Sequence, residues 1–181
     1  MRRRISIVLC ALLLVTVASQ AGRGRAVTTR SPGGRACMVY APLVGMGHVG
    51  WAVRTDSGLW YGGATETKEF WPRLPGKSWM TGPYEFPRLL AAFRSKRPVT
   101  PYRAFRCRNV PGDSAAAVAQ FRRQAHSQYD VFHSNCLTRT VRTLKSYSIV
   151  LGDLPGGVGS MPSTYFHNTL SAYGWQAERS F

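Results

Sequence analysis

Cys37, Cys107 and Cys136 are the cysteines beyond the N-terminal apolar run, and their odd number constrains the fold once the redox setting is known. The start of the chain indicates that setting. Arg2, Arg3 and Arg4 precede an almost unbroken apolar run from Ile5 to Val17, and the small residues Ser19 and Ala21 follow. That order describes a secretory signal peptide, with cleavage expected after Ala21. The run is shorter than the ~20 residues of a comfortable membrane span; an uncleaved N-terminal anchor is the alternative. Cys10 follows Leu9 rather than a small residue, so lipidation there is not expected. In an oxidising compartment two of the three remaining cysteines should close. Cys37 and Cys107 both lie in strand-like stretches far from Cys136, so these two are expected to pair. Cys136 is then left as a free thiol, and reactivity is the commonest reason to keep one; a buried structural thiol is the alternative. No C-x-x-C and no close His/Cys cluster appears, so neither a metal nor another cofactor is expected.

The domain plan follows. Residues 1–21 read as the signal peptide, 22–35 as a flexible basic arm of Gly, Arg, Ser, Thr and Pro, and 36–181 as one domain. The chain carries 24 Lys+Arg against 8 Asp+Glu. Such a balance favours anionic surfaces of the cell envelope, or serves solubility alone. No nucleic-acid motif accompanies the charge. Arginine far outnumbers lysine, as in a GC-rich bacterial genome. The expectation is a secreted, periplasmic or envelope-associated bacterial monomer.

Residue patterns predict an α+β fold, a small antiparallel sheet packed against helices. Strands are expected over 36–44, 48–54 and 59–63, the last two joined by the turn Thr55-Asp56-Ser57-Gly58. The proline-rich stretch 64–101 argues against a sheet centre and suggests loops with one short helix near 89–93. Residues 102–110 alternate as a half-exposed strand, Phe105 and Cys107 inward, Arg106 and Arg108 outward. Asp113 or Ser114 caps a helix to about Ser127, with Val118, Phe121 and Ala125 as its apolar stripe. A further helix begins near Cys136, with Leu137, Val141 and Leu144 on one face and Thr138, Arg139 and Arg142 facing away. After the glycine-rich loop 152–159, a last helix is expected over 162–173.

Chemistry centres on Cys136. Ser134 and Asn135 are good caps, so the thiol falls at a helix N-terminus, where free N–H groups and the helix dipole favour a thiolate, lower its pKa and can hold an oxyanion. A thiolate needs a base. His126 and His167 read as surface or packing residues, and His133 is awkwardly close in sequence. His48, opening a strand beside Gly47 and Gly50, is the expected partner. Tyr61 and Thr65 fall on its face in the hairpin register drawn, with Glu66 just off it, as groups that could orient the imidazole.

Gly47-His48-Val49-Gly50-Trp51, followed by Tyr129-Asp130-Val131-Phe132-His133-Ser134-Asn135-Cys136-Leu137-Thr138-Arg139, resembles the circularly permuted NlpC-type papain-like superfamily. The cysteine run is most similar to the N-terminal periplasmic domain found in bacterial lipoprotein N-acyltransferases. The resemblance implies a permuted papain-like fold and cleavage or transfer of an acyl group through a Cys136 thioester, with a lipid, lipoprotein or peptidoglycan peptide as substrate. The alternatives are a non-catalytic binding module on the same fold, or a secreted basic effector or toxin.

Overall fold

The computed structural model describes residues 33–43, 45–66, 77–96 and 101–181. The expected signal peptide and nearly all of the basic arm lie outside the described residues. Arg35, placed in that arm, instead opens the first strand, its N–H donating to the Tyr147 hydroxyl.

Six antiparallel strands form one sheet: β1 (Arg35–Ala41), β2 (His48–Arg54), β3 (Trp60–Glu66), β4 (Lys77–Tyr84), β5 (Ala104–Asn109) and β6 (Arg179–Ser180), in the order β4-β3-β2-β1-β5-β6. Helices α1 (Phe86–Ser95), α2 (Ser114–Ala125) and α3 (Cys136–Tyr147) complete the frame. The fold is the expected α+β arrangement of an antiparallel sheet packed against helices.

The central strands are buried on both faces, and their alternation separates two cores. Met38, Tyr40, Val49, Trp51 and Val53 meet Val118 and Phe121 of α2 and Leu137, Val141 and Leu144 of α3. Cys37, Val39, Ala52 and Ala64 point the other way, toward Leu89 and Phe93 of α1, four residues apart and so on one helix face. The β2–β3 hairpin forms over the expected turn, with the Thr55 N–H on Leu59 O. Asp113 caps α2 by accepting the Ala116 N–H. β4 was not foreseen: the prolines in and around it suggested loops, but it is an edge strand, and Pro83 lies next to its end, where a missing N–H costs no ladder bond.

Cys37 and Cys107 lie directly opposite each other on β1 and β5 and form the expected disulfide across 70 residues of sequence. A Cys37→Ala/Cys107→Ala protein should lose about 2–4 kcal/mol, because the cross-link no longer restricts the unfolded chain. Urea denaturation measures this, and an unchanged midpoint would mean that the β1–β5 ladder sets the stability by itself.

The inward-outward reading of β5 needs correction. Arg106 is buried, because the C-terminal helical segment folds over it: α4 (Pro162–Thr164), a π-helical stretch (Tyr165–Thr169) and α5 (Leu170–Ala172). Its guanidinium donates to the Phe166 and His167 carbonyls, Ser171 Oγ and Gln176 O. The expected last helix is therefore one helical run widened in its middle.

Candidate functional site

Asn135 sets where α3 starts. Its Oδ1 accepts the Thr138 N–H at 3.0 Å, and the Thr138 hydroxyl accepts the Asn135 N–H at 2.9 Å. This reciprocal cap places Cys136 in the first turn and explains why Thr138 is buried rather than facing away. Arg139, also expected outside, is buried too. Its guanidinium donates to Ser127 O, Gln128 O and Ser134 Oγ and lies 5.6 Å from the centre of the Tyr129 ring. Arg139 thus fastens the 127–134 loop to the helix that the loop introduces. Asp130 tightens the same loop by accepting the N–H groups of Phe132 and His133.

Four groups lie near the Cys136 sulfur with a proton to offer: the N–H groups of Val49, Leu137 and Cys136 itself and the Tyr129 hydroxyl. Each favours a thiolate, as the helix N-terminus was expected to do. Burial opposes them and wins, because a thiol 4% exposed has little water to stabilise its charge, and the pKa is pushed up to about 11. The expected lowering is corrected accordingly: Cys136 rests as a neutral thiol. It is the free cysteine among the described residues.

His48 follows a turn closed by the Gly47 N–H on Leu43 O. Gly47 has φ 70°, and a Cβ there would strike the Tyr40 ring, so glycine is required on both counts. The His48 ring is buried, 5.8 Å from the Tyr102 ring, and its Nε2 has no hydrogen-bond partner. Burial lowers its pKa to about 4. Strand alternation separates the expected pair: Val49 faces the α2–α3 core that holds Cys136, whereas His48 faces the α1 side with Tyr102, and no hydrogen bond joins its Nε2 to Cys136.

The supporting residues separate. Trp51 opposes Gly63 and Val53 opposes Tyr61, a register that continued to the strand end sets Glu66, not Thr65, across from His48. The expected hairpin was one residue out of step, and such a slip exchanges the faces of every side chain. Tyr61 packs on the α2–α3 core and the Thr65 hydroxyl bonds Ser78, so neither orients His48. Glu66 shares the histidine's face; its carboxylate accepts from Trp79 Nε1, and burial raises its pKa.

Tyr102 and Tyr129 were not singled out. Tyr102 is fully buried, and burial above all, then the nearby Glu66 carboxylate and the Cys136 sulfur if it ionises, raises its phenol well above normal. Its hydroxyl approaches Glu66 without completing a well-formed hydrogen bond. Tyr129 opens the motif that ends in Arg139, and that pairing was the available signal.

The other histidines are elsewhere. His126 ends α2, His133 pairs loosely with Asp130, and His167 meets Glu178 at 2.9 Å. Among the described residues no group of three or more His, Cys, Asp or Glu could hold a metal ion, and no helix is long and apolar enough to cross a membrane. Compared with known family models, curated proteins and solved structures, the chain matches none.

Proposed function

We propose that the chain is an exported bacterial thiol hydrolase or acyltransferase that acts on an ester or amide of an envelope molecule, a lipid, lipoprotein or peptidoglycan peptide. The observation that carries the reading is a free thiol in the first turn of a capped helix, with the Val49 and Leu137 N–H groups and the Tyr129 hydroxyl near it, in a chain that also buries the imidazole of the neighbouring strand residue His48 with an unpartnered nitrogen. The resemblance of the cysteine run to permuted papain-like domains agrees with it.

In this reading Cys136 Sγ attacks the acyl carbonyl as its proton passes to His48 Nε2. The developing oxyanion is held by N–H groups of the first α3 turn and by the Tyr129 hydroxyl. His48 then protonates the leaving group, and water or an acceptor alcohol or amine releases the acyl group from the thioester. Both partners are neutral at rest, so proton transfer accompanies attack. Substrate entry has to bring Nε2 and Sγ into contact, as apo sites commonly require. The same burial favours a second reading, a binding module whose thiol is inert.

The test is a p-nitrophenyl acyl ester with mass mapping of the adduct. The enzyme reading expects a burst of nitrophenol and an acyl group on Cys136, absent in Cys136→Ala and slowed about 10²–10⁴-fold in His48→Ala. Absence of a Cys136 thioester supports the binding module. Iodoacetamide labelling should be slow at neutral pH and accelerate as pH rises toward about 11. Full labelling speed already at pH 7 would contradict the buried neutral thiol.

A further inference from the structure

On the α1 side of the sheet a cavity of about 430 Å³ is lined by Arg94, Pro101, Tyr102, Arg103, Ser180 and Phe181. Two guanidiniums from different elements face one space: Arg94 from the last turn of α1, and Arg103 from the segment entering β5. Among the described residues neither has a carboxylate partner. Arg94 lies 5.4 Å from the centre of the Phe181 ring, which itself packs on Phe105, and that edge forms an apolar wall. Its backbone frame is fixed, with Phe181 N–H on Arg103 O and Ser180 opposite Ala104. Tyr102 supplies the inner wall; it is fully buried, and its hydroxyl has no completed hydrogen bond. Lys96 and Arg179, each over an aromatic ring, add positive charge nearby.

A concave site with two cationic forks that have no carboxylate partner among the described residues, the Ser180 hydroxyl and aromatic walls suits an oxyanion on a small apolar body. We infer that this cavity binds such a ligand, a carboxylate or phosphate ester with an aromatic or acyl group, the oxyanion held by Arg94 and Arg103 and the apolar part against Phe181 and Tyr102. Because the Tyr102 ring also contacts His48 at 5.8 Å, the site borders the thiol cluster. On the acyl-transfer reading it selects acidic substrates, but binding itself does not depend on that reading.

The probes are phenyl phosphate and benzoate, with benzyl alcohol as the uncharged control, titrated calorimetrically into the full chain. Either anion should bind more tightly than the alcohol and weaken with added salt. Arg94→Gln and Arg103→Gln, both at exposed side chains, should each weaken it about tenfold. Phenyl phosphate alone binding assigns a phosphate site, and benzoate alone a carboxylate site. Cys136→Ala should bind as the parent does, which separates this site from the thiol chemistry. Anion binding no tighter than the alcohol's, or unchanged in the Arg94→Gln/Arg103→Gln protein, overturns the inference.

Discussion

Replacing Arg106 with methionine should destabilise the protein by about 2–3 kcal/mol, although the residue lies outside the thiol cluster. The π-helical stretch Tyr165–Thr169 bonds Leu170 N–H back to Tyr165 O. That wider turn leaves neighbouring carbonyls without their ordinary helical donors. Arg106 reaches them from β5 and covers Phe166 O at 3.1 Å and His167 O at 2.9 Å, with Gln176 O and Ser171 Oγ on the same guanidinium. Methionine fills similar volume but donates nothing, so one buried acceptor, Phe166 O, and three part-buried ones lose a charged donor together. Arg106→Lys keeps the charge without the planar fork and should recover less than half of the loss. Urea denaturation of the three proteins measures both effects. A loss below about 1 kcal/mol for methionine would mean that water replaces the guanidinium, and that the C-terminal segment is not held from β5.

Arg106 also marks where sequence reading stops. Strand alternation correctly separated Phe105 and Cys107 from Arg106 and Arg108, but alternation reports sides, not which side is solvent. Here both sides are covered, one by α1 and the other by the C-terminal segment. Local chemistry was legible where it decides by itself: the 55–58 turn, the Asp113 cap, the start of α3 at Cys136, and the disulfide implied by cysteine count. β4 was hidden because prolines surround it in the sequence and its own Pro83 is tolerated only at an edge, and edge status depends on the whole sheet.

The candidate site was legible in its residue types and less so in its geometry. A free thiol behind an Asn cap is a local pattern. The choice among Tyr61, Thr65 and Glu66 depended on a hairpin register, and one residue of slip exchanged the answer. Tyr102 could not be chosen from sequence, since it approaches Cys136 from the far side of the chain order. The thiol's ionisation is not legible for a different reason: the sequence displays the helix-end donors, but the opposing cost of burial is set by tertiary packing.

His48 should make the protein's stability fall with acid over a defined window. Its imidazole has a folded pKa of about 4 against an ordinary 6.5, because burial penalises the charged ring. Between those values the unfolded chain binds a proton that the folded chain does not. Stability therefore rises with pH through that range, is complete above about 6.5, and is lost as pH falls toward 4, by about 3 kcal/mol in all. The half-buried Glu66 carboxyl, with its raised pKa, acts in the opposite sense just above the ordinary carboxylate range. Comparison with His48→Phe isolates the histidine's share. Phenylalanine keeps a ring against Tyr102 and removes a buried nitrogen that has no partner, so at pH 7 the variant should be as stable as the parent, within about 1 kcal/mol. Its stability should then stay level, apart from Glu66 and other carboxylates, where the parent's declines. Denaturation midpoints from pH 4 to 8 measure both proteins, and parallel curves would place His48 in contact with water. A stable His48→Phe protein that no longer forms the Cys136 thioester would identify an imidazole retained for chemistry, because its burial benefits folding at no pH. Full acylation in that variant would remove His48 from the mechanism and leave Cys136 to be deprotonated by another group.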